Sequence, residues 1–239
     1  MKLQQTPLSL TPELIAKFYK RDPANGGTIP DAALSGIEAA MRAAFEEINR
    51  VGAVGSQLDP TVTPQAHALR VRDIALKAVE RAAGRLDAAR AAAMADIARI
   101  EAETSAPPAP RDAHAVQMEA EIRSMLRNMD AKARGAAIAK AISDGDDLVV
   151  GAFLRGPAML TGVGEAEREM RRGAWRKQRH PEKTDRQERL QKAIAAVDRG
   201  GSAMLAWTRQ ITESAAVQLA QAGKDRADAA LAALNQAAE

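Results

Sequence analysis

Between Arg168 and His180 the chain places six cations, Arg168, Arg171, Arg172, Arg176, Lys177 and Arg179, against one acid, Glu169. Trp175 stands among them. On a helix, Arg168, Arg172, Arg176 and Arg179 follow one face at spacings of four, four and three, with Arg171 beside them. Three readings fit: a solvated helix face with Trp175 packed inward, a contact to nucleic-acid phosphates that releases counterions, or a contact to an acidic protein surface. Trp175 lies three and four residues from Arg171, Arg172 and Arg179, so it either stacks on a guanidinium or anchors the helix inward.

The other groupings lack the chemistry they suggest. His67, His114 and His180 are scattered, and none has a carboxylate or second histidine at the spacing a zinc site uses. The chain has no cysteine, which excludes a thiolate metal site and a disulfide framework. Gly156-Pro157-Ala158-Met159-Leu160-Thr161-Gly162-Val163-Gly164 has the wrong glycine spacing for a phosphate loop and no Lys-Ser/Thr after it. Asp144-Gly145-Asp146-Asp147 has the acidity of a calcium loop, but Val149 and Arg155 stand where glycine and glutamate are needed, so helix capping is the better reading. Gly200-Gly201-Ser202-Ala203-Met204 is half of a nucleophile elbow without its last glycine. Carboxylates elsewhere alternate with Lys and Arg, as solvated helix surfaces do. The expectation is a non-enzymatic protein with no metal, no cofactor and no catalytic group.

The elements that hold these residues are helices. Of 239 residues 54 are alanine, the best helix former, and only six are aromatic. An all-α fold is expected, an elongated alanine-rich helical bundle with long coiled-coil-like helices. Thr11-Pro12 reads as a first helix start, and Pro30-Asp31 as a second, with Leu34, Ile37, Met41, Phe45, Ile48 and Val51 as its stripe and glycines 52 and 55 as its end. Thr63-Pro64 opens a rod to about Thr104, with Leu76, Val79, Leu86, Ile97 and Ile100 as its expected seam, packed either as a coiled coil or as a bundle helix with a wider stripe.

Ala106-Pro107-Pro108-Ala109-Pro110 is extended and semi-rigid, and gives the expected division: an N-terminal helical region 1–105, a linker 106–111 and a C-terminal helical region 112–239. A helix after Asp112 carries Met118, Ile122, Met125, Met129 and Ala133 on one face and ends near Gly145. Asp146-Asp147 caps a short helix through Phe153, and a charged helix follows Gly164 up to Arg179. Thr184-Asp185-Arg186-Gln187 matches a capping box that opens another rod, in which Gly200-Gly201 kinks the helix or allows close packing. Gly223 is expected to cap its end, before a last short alanine-rich helix.

The segment Asp147-Leu148-Val149-Val150-Gly151-Ala152-Phe153-Leu154-Arg155-Gly156-Pro157-Ala158-Met159-Leu160-Thr161-Gly162, followed by Glu165 and Glu167, resembles a pattern in uncharacterised structural proteins of tailed bacteriophages. There an apolar helix, a proline and a Leu-Ser/Thr-Gly turn precede an acidic helix start. The resemblance covers about 35 residues and carries over no catalytic residue. It implies a virion or assembly protein, of the scaffold, head–tail connector or internal, ejection type. Long alanine-rich rods have thin side-chain layers, so protein partners are expected, as a homo-oligomer or a docked subunit. The alternative is a DNA-binding or packaging-associated protein that uses the basic stretch, although a net charge of +3 is weak for that class. The N-terminus lacks the apolar core of a signal peptide, and the longest apolar run, Leu148 to Leu154, is far short of a membrane span. A soluble chain made in the host cytoplasm and carried in a virion is the expected setting.

Overall fold

A computed structural model describes residues 5–236, and among them the chain forms ten α-helices and no strand. They are α1 (Glu13–Ala16), α2 (Ala32–Ser56), α3 (Pro64–Glu103), α4 (Ala113–Asn128), α5 (Ala131–Asp144), α6 (Asp147–Arg155), α7 (Ala158–Thr161), α8 (Glu165–Arg179), α9 (Pro181–Thr212) and α10 (Ala215–Gln236). A single 3-10 turn, Leu8–Leu10, precedes them, and one isolated bridge joins Arg21 and Thr28. The fold is all-α. No described helix is long and apolar enough to cross a membrane.

Packing divides the chain into two compact units, one of residues 1–94 with 189–239 and one of residues 95–188. The division falls inside the continuous helices α3 and α9, where the sequence carries no break. The proline segment 106–111, expected as a linker, lies within the second unit. Its Pro107 and Pro108 carbonyls accept hydrogen bonds from Arg155 Nη1 at 2.5 and 2.7 Å, so it is tied down by a side chain of its own unit.

In the first unit α2 buries Leu34, Ile37, Met41, Ile48 and Val51, as its stripe predicts, with Phe45 half-buried. Asp31 caps it, its Oδ1 accepting from the Ala33 and Leu34 amides. Gly52 and Gly55 do not stop it, because a single glycine costs a helix only about 1 kcal/mol. Thr63 caps α3, accepting from the Ala66 amide at 3.2 Å. The resulting 40-residue helix is about 60 Å long.

Its seam differs in part from the expected one. Val79, Leu86 and Ile100 are buried, Ile97 is half-buried, and Leu76 is exposed. The burial instead follows Ala68, Val71, Ala75, Ala78 and Ala82 on the neighbouring row. Alanine lets a facing helix approach where leucine would hold it off, so the small residues take the inside.

Start signals also moved at both ends of the chain. Thr11 makes no side-chain cap, and α1 is one turn begun by Pro12. Helix α9 starts at Pro181 rather than at Thr184, whose hydroxyl donates to the Arg176 carbonyl. Proline at the first helical position needs no amide partner and has its φ already set. Gly223 lies inside α10, and the break falls at Ser214, whose Oγ accepts from the Val217 amide.

Of the two adjacent glycines in α9, Gly200 is the one that packing requires. A Cβ there would lie 2.9 Å from the Ser9 carbonyl oxygen and 3.2 Å from Leu10 Cδ2, whereas one at Gly201 would meet nothing within 4 Å. Backbone cannot yield as a flexible side chain can, so Gly200→Ala is expected to cost about 1–3 kcal/mol through overpacking. Gly201→Ala is expected to be neutral or to stabilise by up to ~1 kcal/mol through helix propensity. Denaturant unfolding of the two variants beside the parent checks this; equal midpoints would refute the close approach.

Candidate functional site: the basic helix

The second unit is built on caps. Asp112, Asp130 and Asp146 accept from the first-turn amides of α4, α5 and α6. The Asp130 cap splits what the periodicity suggests is one helix up to Gly145 into α4 and α5. Gly145 then closes α5 with φ 71°, and the Asp146 amide returns to the Ala141 carbonyl at 2.9 Å. Capping thus accounts for the acidic run around Gly145.

On α4 the buried residues are Glu119 and Leu126, one position on from the expected Met118 and Met125, which are exposed; Ile122 is partly buried. The core gathers Leu126, Ile138, Ile142, Phe153, Leu154 and Trp175.

Trp175 therefore anchors α8 inward, 3% exposed, with its ring edge-on to His180 at 5.2 Å between centroids. Around that anchor the guanidiniums turn to partners in their own unit. Arg168 donates to the Gly156 carbonyl and to Glu165. Arg172 pairs with Glu169, and Arg171 stands 3.6 Å from Glu167. Arg176 donates from Nε to Thr104 Oγ1 at 2.8 Å and from Nη2 to Gln187 Oε1. Arg179 reaches Asp147 Oδ2 at 3.0 Å. Lys177 is exposed and makes no described hydrogen bond or ion pair.

The expected row of Arg168, Arg172, Arg176 and Arg179 is thus not one open face. Arg168, Arg171 and Arg172 keep only about a fifth of their side-chain surface exposed, and the Nε of each is buried without a partner. The unit as a whole holds sixteen Lys and Arg against sixteen Asp and Glu, so the basic run is offset within its own unit. Asp147 and the Glu165–Glu169 turn supply the nearest of them.

The sequence did not point to a second cluster. Glu119, 4% exposed, receives hydrogen bonds from Arg155 Nη2 and, at 3.4 Å, from Arg123 Nη1. Arg155 lies over Gly151, where a Cβ would overlap its guanidinium. Gly151 sits in an otherwise apolar helix, and that unexplained glycine four residues before an arginine was the available signal. Burial lowers the pKa of Arg155, yet its guanidinium stays charged at any ordinary pH.

Asp96 and His180 are also shifted. A hydrogen bond from Arg186 holds the Asp96 carboxyl below the usual carboxylate range, with Arg99 adding to it. Burial lowers the His180 pKa first, and Lys183, Arg179 and Arg176 lower it further against the opposing Asp147. No group of three or more metal-ligating side chains occurs among the described residues.

Fold and site define an all-helical protein whose basic helix is compensated and anchored from within. The chain matches no protein-family model, no curated protein and no solved structure.

Glu119→Gln leaves Arg123 and Arg155 partly buried without their carboxylate and is expected to cost about 3–5 kcal/mol. Arg176→Gln is expected to lose about 1–3 kcal/mol, and Lys177→Gln nothing measurable; urea midpoints report all three. For pH the sign follows from the unfolded state binding more protons. Stability is full above the unfolded His180 pKa near ~6.5 and falls as pH drops through it, and Asp96 adds a second loss below about pH 4. His180→Gln is expected to flatten the first window alone in unfolding measured from pH 7.5 to 5.

Proposed function

We propose that this chain is a non-enzymatic structural or assembly protein of a larger complex. A tailed-phage particle is the setting we favour, with a scaffold, head–tail or internal role. The supporting observation is the second half of α10. Every residue from Ala222 to Gln236 is exposed, including Leu231 and Leu234. A segment of about 15 residues is marginal as an isolated helix in water, so its helicity calls for a protein surface to lie against.

The inward commitment of Arg168, Arg172 and Arg176 weighs for protein contact over DNA contact. The DNA-binding alternative keeps Lys177 and the half-exposed Arg179 as available cations. Two cations bring few phosphates together, and the salt slope of binding follows the number of phosphates met.

Native mass measurement of the purified chain over a range of concentrations, and of any particle that carries it, tests the assembly reading. A mass above one chain, or stoichiometric incorporation, is expected. On immobilised duplex DNA, retention is expected to be weak and insensitive to Lys177→Gln with Arg179→Gln. A steep salt dependence that the double variant abolishes would put the DNA-binding reading first.

A further inference from the structure

The buried face of α10 continues past the part of the fold that covers it. Val217 and Ala220 are buried, 3% and 4% exposed. The same alternation of three and four residues leads on to Lys224, Ala227, Leu231 and Leu234, all exposed. No proline or break interrupts it, and the exposed segment runs about 22 Å. Leu231 is 59% and Leu234 67% exposed, the largest apolar side chains of that stretch.

The charges are distributed unevenly. Lys224, Asp225, Arg226 and Asp228 sum to zero and all lie in the first half of the segment, while residues 229–236 carry none. We propose that the occupant of this face is the same segment of a second copy, lying antiparallel about a two-fold axis near Ala229. This deepens the assembly reading and rests on it.

The charge pattern selects the direction. Parallel pairing in register would set Lys224 of the face against Lys224 of the second copy, and like charges in contact are unfavourable. Antiparallel pairing about Ala229 sets Lys224 against Leu234 and Ala227 against Leu231, so the one charge on the face meets an uncharged residue. Leu231 meets Ala227, large against small, so the two backbones can approach, and the Lys224 stem covers Leu234 with its ammonium in water. The contact is self-complementary and closed, as two-fold interfaces are.

Two such segments paired along one stripe bury less than the ~1,200 Å² of a standard stable interface. The dimer is therefore weak, populated on the order of 100 μM protein and dispersed near 1 μM.

The absence of native cysteine makes the test clean. Ala227→Cys and Leu231→Cys chains, each with a different mass tag, are mixed at about 100 μM and mildly oxidised. Antiparallel pairing is expected to give mixed 227–231 dimers well above the random share of half, and few of either like-with-like product. A chain ending at Gln221 is expected to sediment as less dimer than the full chain. Random or like-with-like cross-linking, or a dimer fraction unchanged by removal of the segment, would overturn the proposal. If a mass above one chain persists in that case, another surface assembles the protein and the wider reading stands. A full chain that is monomeric throughout and joins no larger partner would remove both.

Discussion

A single guanidinium holds much of the second unit in place. Arg155, at the end of α6, bonds Glu119 on α4 and the carbonyls of Pro107 and Pro108, so three stretches of chain meet at one side chain. Burying a carboxylate such as Glu119 costs several kcal/mol unless charge and hydrogen bonds meet it. Arg155 and Arg123 supply both. Gly151 gives the guanidinium its seat, and the proline segment gains in return an anchor its own residues lack. Trp175 works by the complementary means, taking apolar area from α8 into the core while the arginines on either side bond polar partners of the same unit.

The first unit is arranged around a different constraint, the small size of alanine. Its inner rows on α3 are mainly alanine, and Gly200 lets the Ser9 carbonyl lie against α9. Large side chains of α2 and α9, among them Leu34, Ile37, Met41, Ile48, Leu190 and Met204, make up much of the rest of that interior.

The all-helical class was legible because alanine content, caps and spacing agreed. Asp31, Thr63, Asp112 and Asp146 are local signals, and each acts as its sequence suggests. What was not legible depended on three-dimensional neighbours. Heptad counting on α3 favoured Leu76 over Ala75, since hydrophobicity and packing size rank those two residues oppositely. Asp130 looked like an ordinary helix-surface acid until its cap divided α4 from α5. The Arg168–His180 run has Glu165, Glu167 and Glu169 within a turn of its first arginines, but the rest of its compensation was hidden, because the Asp147 that meets Arg179 and the Thr104 that meets Arg176 lie 32 and 72 residues away. Inward anchoring of Trp175 was one of the readings its spacing allowed, and burial decided it.

The chain's two tryptophans fall one to each unit, Trp207 in the first and Trp175 in the second, 4% and 3% exposed. Each is thus a separate optical probe of its own core. With Trp207 changed to phenylalanine, emission reports only on the second unit, and the reverse change reports only on the first. Because α3 and α9 run through both units without a break, the difference between the two transitions measures how far cooperativity travels along a continuous helix.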